Sequence, residues 1–232
     1  MNDLYYLTET FMSVQGEGNC AGIRALFVRF QGCNLRCSWC DSKYTWGKDE
    51  SLQALTAGEV KSIISNSSAH NVILTGGEPT LYRLDKLVVE GKKYHVETNA
   101  TIIPTKPLIA TLPDGSRFSR DAMDEDVIRH FNWVVSPKAT NAGQKICEPA
   151  LRFWAAQEYC VFKFIVQRTE DLQEVEKLVI LFGIDRNKVY VGIEGCTLKT
   201  QLRPTLVEEI IHRGFNFSPR LHILLWKQER GR

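Results

Sequence analysis

The chain has 232 residues, of which 44% are hydrophobic and 24% are charged, so it is long enough and apolar enough to fold as a globular domain. Its 29 Lys and Arg residues and 27 Asp and Glu residues leave a net charge of +2, which is too small to predict a nucleic-acid or membrane-surface partner. No apolar run could span a bilayer, and the first residues do not form a secretory signal. We therefore expect a single domain over residues 1–232 that is cytoplasmic and binds a small molecule.

The first distinctive stretch, residues 11–18, ends in the sequence Gln15-Gly16-Glu17-Gly18. Two glycines beside an acid suit a turn in which the backbone approaches a ligand closely. A plain surface turn can have the same composition, so both interpretations stay open at this point.

Residues 24–30 follow, and their aromatic and branched side chains predict the first core strand. Arg29 lies within this strand. A buried guanidinium needs an anionic partner, because an unpaired buried charge is costly, and its planar group suits a carboxylate. That partner is either the carboxylate of a ligand or an acidic side chain of the protein.

Three of the seven cysteines, Cys33, Cys37 and Cys40, fall within eight residues directly after this strand. Sulfur ligands select zinc, copper(I) or iron–sulfur clusters. A structural zinc site normally has four protein ligands, and a [4Fe–4S] cluster usually has four cysteines, so three cysteines indicate a cluster with one iron open to another ligand. The remaining cysteines are scattered and are expected to be buried apolar thiols: Cys20, Cys147, Cys160 and Cys196.

Strands and helices are expected to alternate after the cysteines. Thr56 should cap a helix to about Ser65, and further elements are a strand at 71–74, a helix near 80–90 and a strand at 94–99. The glycines of the loop Thr75-Gly76-Gly77-Glu78-Pro79 permit close approach of a ligand, and its exposed carbonyls and its glutamate could accept hydrogen bonds from an amino group.

Prolines and an acidic cluster make residues 100–130 look like an insertion, with the acidic residues at the start of a helix. The last elements predicted are a strand at 132–135, a helix at 149–157, a strand at 161–166, a helix at 169–182, a strand at 188–191, a helix at 204–213 and a strand at 221–225. Strands separated by helices predict parallel pairing through right-handed crossovers. We therefore predict an α/β fold: a partial, open β/α barrel with a mostly parallel sheet and helices outside.

The spacing Cys33-x3-Cys37-x2-Cys40, with Trp39 before the last cysteine, resembles the signature of the radical S-adenosylmethionine (SAM) enzymes. The Gly-Gly-Glu-Pro loop resembles their motif for the SAM amino group, and the Gln-Gly-Glu-Gly loop resembles the substrate loop of the 7-carboxy-7-deazaguanine synthase family. The likeness also includes Phe27-Val28-Arg29, Glu97-Thr98-Asn99, Ser136-Pro137-Lys138 and Leu221-His222. Ala100 stands where the family usually has glycine, which leaves the backbone geometry at that strand end open.

The resemblance implies a radical SAM lyase that contracts the ring of 6-carboxy-5,6,7,8-tetrahydropterin to 7-carboxy-7-deazaguanine, with loss of ammonia, in queuosine-type deazapurine synthesis. It implies a [4Fe–4S] cluster on the three cysteines, SAM on the open iron, Mg²⁺ on the Ser42 hydroxyl, an electron donor such as flavodoxin or ferredoxin, and a homodimer. The SAM-binding residues that it implies are Trp39, Cys40, Asp41, Gly77, Glu78, Ser136, Pro137 and Lys138. The pterin-binding residues that it implies are Val14, Gln15, Gly16, Arg29 and Thr75.

Two other functions agree with part of the sequence. An activase that installs a glycyl radical in a partner protein would share the cluster and the Gly-Gly-Glu-Pro loop, but it does not account for the Gln-Gly-Glu-Gly loop. A zinc-binding interaction module would need a fourth ligand near the cysteines, and the local sequence offers none.

Overall fold

The computed structural model describes residues 4–46, 52–227 and 229–232, which form an α/β structure. The strands are β1 (Leu4–Val14), β2 (Arg24–Phe30), β3 (Gln53–Thr56), β4 (Asn71–Gly76), β5 (Lys93–Thr98), β6 (Leu108–Thr111), β7 (Arg117–Arg120), β8 (Asn132–Val135), β9 (Cys160–Val166), β10 (Val189–Ile193) and β11 (Asn216–Ser218). The helices are α1 (Ala57–Asn66), α2 (Glu125–Ile128), α3 (Glu148–Ala155), α4 (Asp171–Phe182), α5 (Leu198–Gln201), α6 (Pro204–His212) and α7 (Leu221–Trp226). None of these helices is long and apolar enough to cross a membrane.

All of these strands except β6 and β7 belong to one sheet, in the order β11-β10-β9-β8-β5-β4-β2-β1-β3. The strands from β11 to β2 pair in parallel, whereas β1 is antiparallel to both β2 and β3. Within the described residues the sheet stays open, with β3 and β11 as its two edges. The predicted open, mostly parallel α/β fold is confirmed. The antiparallel strands β1 and β3 were not predicted, and β1 includes Phe11–Val14, so the turn begins only at Gln15.

The start of α1 shows why local sequence predicted this helix well. Thr56 is the N-cap, and its hydroxyl accepts a hydrogen bond from the Glu59 N–H at 3.3 Å. The Glu59 carboxylate in turn accepts from the Thr56 N–H at 2.7 Å. This reciprocal capping satisfies two N–H groups that a helix start leaves unpaired, so the boundary is encoded locally. Val60 and Ile64 then bury one face of the helix against the sheet.

Residues 80–90 do not form the predicted helix. Two short 3₁₀ turns, Pro79–Leu81 and Leu84–Leu87, are separated by Tyr82 in an extended conformation. The ring of Tyr82 stacks on Phe30 of β2 with a centroid distance of 5.0 Å. The tertiary contact therefore holds the backbone out of the helix that local sequence favoured.

The predicted strand at 221–225 is also wrong, because these residues belong to helix α7. The last strand is β11, which ends immediately before Pro219. A short apolar run does not distinguish a strand from a helix by its pattern. In α7 only Ile223 is fully buried, as expected of a surface helix with one residue pointing inward.

Residues 100–130 contain the β6–β7 hairpin, which forms a separate two-stranded sheet, and the short helix α2. Asp124 caps α2 through its side chain, so the helix start predicted from the acidic cluster is confirmed. Phe118 and Leu112 of the hairpin pack against Gly32 next to the cysteine loop. That this region is an insertion stays a prediction.

Ala100 adopts the backbone conformation that glycine usually supplies. Its φ of +66° lies in the left-handed region, which costs an L residue roughly 1–2 kcal/mol. The side chain is only 2% exposed and belongs to the hydrophobic core, so packing offsets part of this strain. The strand end therefore forms a left-handed turn in spite of the alanine.

We expect Ala100→Gly to change the free energy of unfolding by less than about 0.5 kcal/mol, because relief of backbone strain offsets the loss of a buried methyl group. The control is Ala150→Gly, which is equally buried but lies in helix α3 and should lose about 1–2 kcal/mol. Urea denaturation measures both values. Equal losses in the two variants would contradict a strained backbone at Ala100.

Candidate active site

The carboxyl ends of the parallel strands meet at one edge of the sheet, where α/β proteins place their ligands. The cysteine loop follows β2, the Gly-Gly-Glu-Pro loop follows β4, and polar tips follow β5 and β8. These segments surround one cavity. The predicted site residues that line it are Val14, Gln15, Gly16, Arg29, Cys33, Cys37, Trp39, Cys40, Asp41, Ser42, Thr75, Gly77, Ser136 and Lys138. Glu78 and Pro137 are not part of the lining.

The cysteine loop and the Gly-Gly-Glu-Pro loop are joined backbone to backbone. The Glu78 N–H donates to the Gly32 carbonyl at 2.8 Å, and the Gly77 N–H donates to the Phe30 carbonyl at 3.0 Å. A Cβ atom on Gly77 would lie 1.9 Å from the Gly32 carbonyl oxygen, closer than any side chain can approach. Glycine is therefore required at position 77, and the contact fixes the cysteines relative to the end of β4.

The three predicted cluster ligands are free thiols that line this cavity. Cys33 Sγ accepts hydrogen bonds from the Leu35 N–H at 3.4 Å and from Asn99 Nδ2 at 3.9 Å. Burial raises the pKa of Cys33 to about 12 and also raises the pKa of Cys37. Both thiols are protonated at neutral pH, so binding of iron must displace their protons.

The arrangement of these thiols is compatible with a cluster of several iron atoms. Ligand atoms on one tetrahedral zinc ion lie less than about 4 Å apart. Among the described residues, Cys33, Cys37 and Cys40 do not form a group whose sulfur atoms all lie within 4.8 Å of one another. A [4Fe–4S] cluster binds each thiolate to a different iron atom and does not require such closeness. The donor set therefore fits a [4Fe–4S] cluster.

The other four cysteines were expected to be buried, and this is correct only for Cys160. Cys20, Cys147 and Cys196 are partly exposed. Cys147 is the N-cap residue of α3, and Cys196 lies in the loop after β10. Residues at the ends of helices and strands are seldom enclosed on all sides. The general preference of cysteine for burial therefore did not predict the exposure of these side chains.

The Glu78 carboxylate is surrounded by hydrogen-bond donors of the protein. It is fully buried, its Oε1 accepts hydrogen bonds from the Thr80 N–H and the Thr98 hydroxyl, and its Oε2 accepts from the Asn99 N–H at 2.7 Å. Burial raises the pKa of Glu78 in spite of these bonds. Its hydrogen bonds connect the loop after β4 to the end of β5. That Glu78 binds the SAM amino group stays a prediction.

Lys138 places a positive charge beside the cysteine loop. Its Nζ donates to the Ser136 hydroxyl at 2.6 Å and lies 5.6 Å from the centre of the Trp39 ring. Trp39 is held in turn by a 2.9 Å hydrogen bond from its indole N–H to the Asn141 carbonyl. Burial lowers the pKa of Lys138. An amine and a hydroxyl at this place can bind a ligand carboxylate next to the thiols.

Arg29 has an acidic side chain as its partner. Its Nε donates to Glu9 Oε1 at 2.7 Å, and both side chains are 15% exposed. This is one of the two alternatives that the sequence left open. Arg29 also lines the cavity, so the contact with Glu9 does not remove it from the site.

The loop of residues 15–18 lines the cavity with its first three residues and is bonded to the C-terminal part of the chain. The Leu221 N–H donates to the Gly16 carbonyl at 3.0 Å, and the Gly18 N–H donates to the Ser218 hydroxyl at 2.8 Å. A Cβ atom on Gly16 would lie 2.3 Å from Nδ1 of His222, so a larger residue there would have to displace the imidazole. Because β1 and β11 lie near opposite edges of the sheet, these contacts connect the two ends of the open barrel.

A chain of buried charged groups, which the sequence did not predict, lies beside this loop. Lys163 Nζ is 2.6 Å from Glu97 Oε2 and 2.8 Å from Glu17 Oε2. Glu17 also accepts a hydrogen bond from Arg220 Nε at 2.9 Å. Burial opposes ionisation of Glu17, but Lys163 and Arg220 hold its pKa well below its usual range. Glu17 is therefore charged at neutral pH.

We expect Lys163→Met to lower the free energy of unfolding by about 3–5 kcal/mol, because it removes the cation that Glu17 and Glu97 share in a buried place. The control is Lys177→Met on the exposed face of α4, which should change the same quantity by less than about 0.5 kcal/mol. Urea denaturation at neutral pH compares the two. A loss below about 1 kcal/mol for Lys163→Met would show that the carboxylates do not depend on this lysine.

Oxygen and nitrogen ligands for a metal ion also meet in the cavity. The carboxylates of Glu17 and Asp41 and the imidazole of His222 each place one atom within 4.8 Å of the others. Arg220 donates to both carboxylates and so already supplies positive charge there. The Ser42 hydroxyl donates to Asp41 Oδ1 at 2.9 Å. The oxygens of Ser42 and Asp41 are of the kind that Mg²⁺ binds, and Mg²⁺ at Ser42 stays a prediction.

Several cavity residues were missed for different reasons. Lys163 is a charged residue within an apolar strand, as Arg29 is. The sequence could therefore have predicted Lys163 as a site residue by the same argument. Glu194 and Arg220 also line the cavity but carry no local signal. They reach the site because β10 and β11 end beside the earlier strands, which only the sheet order shows.

Residues 27–130 match the family model of the Radical SAM superfamily, which agrees with the open barrel and the three-cysteine loop. Among curated relatives, the 7-carboxy-7-deazaguanine synthase of Pyrobaculum aerophilum is 32% identical over 97% of this chain and 96% of its own. The enzyme of the same name from Hyperthermus butylicus is 33% identical over 97% of this chain and 94% of its own. The chain therefore belongs to the 7-carboxy-7-deazaguanine synthase family. The crystal structure of QueE from Escherichia coli shares the fold, with a TM-score of 0.68 and 23% identity over 93% of each chain.

Proposed function

We propose that this protein converts 6-carboxy-5,6,7,8-tetrahydropterin to 7-carboxy-7-deazaguanine, with loss of ammonia, in queuosine-type deazapurine synthesis. The observation that carries the proposal is a single cavity lined both by the three thiols and by Gln15, Gly16 and Glu17 with Arg29. The thiols suit a SAM-cleaving cluster. The loop and the guanidinium suit a small, polar ring that bears a carboxylate.

Cys33, Cys37 and Cys40 would hold the [4Fe–4S] cluster. When bound, the cluster supplies the electron that cleaves SAM and so starts radical chemistry at C6 of the pterin. Lys138 and Ser136 bind the SAM carboxylate through an ammonium and a hydroxyl that already lie 2.6 Å apart. The SAM residues proposed to act with them in the cavity are Trp39, Cys40, Asp41 and Gly77.

The pterin lies against the other part of the cavity lining. Backbone groups of Val14, Gln15 and Gly16 bind the edge of the ring, and Arg29 binds the carboxylate. Thr75 places its hydroxyl between the pterin and SAM. The Ser42 hydroxyl would hold Mg²⁺, and the ion would supply positive charge for the substrate there.

The contact between the residue 15–18 loop and α7 encloses the substrate from the side at which the barrel is open. The proposal also includes a one-electron donor such as flavodoxin or ferredoxin and a homodimeric assembly. It places the protein in the cytoplasm, where thiols stay reduced.

The test is product formation by the protein purified and reconstituted without oxygen. It is incubated with 6-carboxytetrahydropterin, SAM, Mg²⁺ and a reductant, and 7-carboxy-7-deazaguanine and ammonia are measured. We expect both products in equal amounts. SAM cleavage without any conversion of the pterin would reject the synthase and favour the glycyl-radical activase, whereas a chain that binds zinc and no iron would reject both enzymes.

A further inference from the structure

The partner of Arg29 has a geometry that leaves the guanidinium open toward the cavity. Glu9 Oε1 accepts a hydrogen bond from Nε of Arg29 at 2.7 Å. Within the described ranges, the two terminal nitrogens of Arg29 form no hydrogen bond with a side chain or backbone group. The rings of Phe11 and Tyr44 lie 5.8 Å from its Cζ atom. The guanidinium is therefore held by one edge, and its terminal pair of N–H donors remains for a ligand.

The Glu9 carboxylate is itself fixed by groups from other segments. The Tyr44 hydroxyl donates to Oε1 at 3.1 Å, and Nε of Arg230 donates to Oε2 at 2.9 Å. Burial raises the pKa of Tyr44 to about 12, so the hydroxyl keeps its proton at neutral pH. Donors from β2, from the turn after the cysteines and from the C-terminal residues thus converge on one carboxylate. A carboxylate with these partners has little freedom to turn.

Glu9 lies opposite Arg29 because the pairing of β1 with β2 contains an irregularity. Leu7 pairs with Phe30, but Glu9 pairs with Arg29, so Thr8 is an extra residue on β1. Such bulges change the direction of side chains and occur often beside active sites. Without the extra residue, the side chain opposite Arg29 would be Thr8, which is too short to hold the Nε edge.

We propose that Glu9 is a positioning residue that sets the orientation of Arg29 and thereby makes the site selective for a ligand with a carboxylate. This inference rests on the proposed function, in which Arg29 binds the pterin carboxylate. Arg29 must present two parallel N–H groups for a bidentate contact. Glu9 restricts the side chain to that orientation, so less freedom is lost when the ligand binds.

The test compares two ligands in wild-type protein and in Glu9→Ala, by titration without oxygen. We expect Glu9→Ala to raise the Kd of 6-carboxytetrahydropterin at least about tenfold, and to leave the Kd of tetrahydropterin without the carboxylate unchanged within about twofold. KM for the carboxylated substrate should rise by a similar factor while kcat stays within about twofold. Glu9→Gln keeps an oxygen that can accept from Nε and should restore most of the affinity.

The control is Thr10→Ala, the exposed next residue of β1, which should not change either Kd. Equal weakening of both ligands by Glu9→Ala, or no weakening of either, would overturn the role of Glu9. Loss of SAM affinity to the same degree would assign Glu9 a general structural role and overturn it as well. If the wild-type protein does not bind the carboxylated pterin, or Arg29→Ala binds it normally, the proposed function fails first.

Discussion

Cys37→Ala is expected to lose the iron–sulfur cluster and at least about 10³-fold in turnover, since the cofactor carries the radical chemistry. Cys37 is one of three thiols in the cavity lining, and none of the other described cysteines belongs to that lining. No other described cysteine in the cavity could therefore replace Cys37 as a ligand. Cys33→Ala and Cys40→Ala should behave in the same way.

The matched control for this prediction is Cys147→Ala. Cys147 is a free thiol at the start of α3, outside the cavity lining. Iron and sulfide per chain, and the visible absorption of the reconstituted protein, are measured for both variants. Cys147→Ala should keep the iron content of the wild type. If it loses iron as completely as Cys37→Ala, the assignment of three ligands is wrong.

Arg29→Ala should weaken binding of the carboxylated pterin by about 2–5 kcal/mol, the range for truncating one partner of a buried, hydrogen-bonded charge pair. This corresponds to a rise in Kd of about 30-fold to 4,000-fold. SAM binding should change little, because Lys138 and Ser136 lie at the SAM part of the site in the proposed function. Arg29→Lys should also bind poorly, since lysine has no Nε edge for Glu9 and no paired donors for a carboxylate.

The control for this substitution lies on the same strand. Arg24 is exposed at the start of β2 and bonds to Ser68. Arg24→Ala removes a guanidinium without touching the cavity and should leave both affinities unchanged. Calorimetry without oxygen measures SAM and pterin separately for each variant. Equal weakening of both ligands by Arg29→Ala would contradict the role of Arg29 as the carboxylate-binding residue.

The sequence by itself determined those features whose signal lies within a few consecutive residues. The cysteine spacing, the glycine-rich loops and the cap of α1 at Thr56 are of this kind, because a short segment contains all the atoms that define them. The alternation of strands and helices also predicted the open, parallel sheet. The ligand-binding edge followed from it, since parallel strands end on the same side.

Only the tertiary structure decided which distant side chains share the cavity and what each one contacts. Glu78 was predicted from its loop as a ligand-binding residue, and the end of β5 supplies donors that surround its carboxylate. Residues 221–225 had a pattern common to strands and helices. In the structure they form a helix, and the Leu221 N–H at its start donates to Gly16 of the residue 15–18 loop. Glu9 and Arg29 are 20 residues apart and meet through a strand irregularity. Contacts of this kind depend on the order and register of the strands, which no local stretch of the chain specifies.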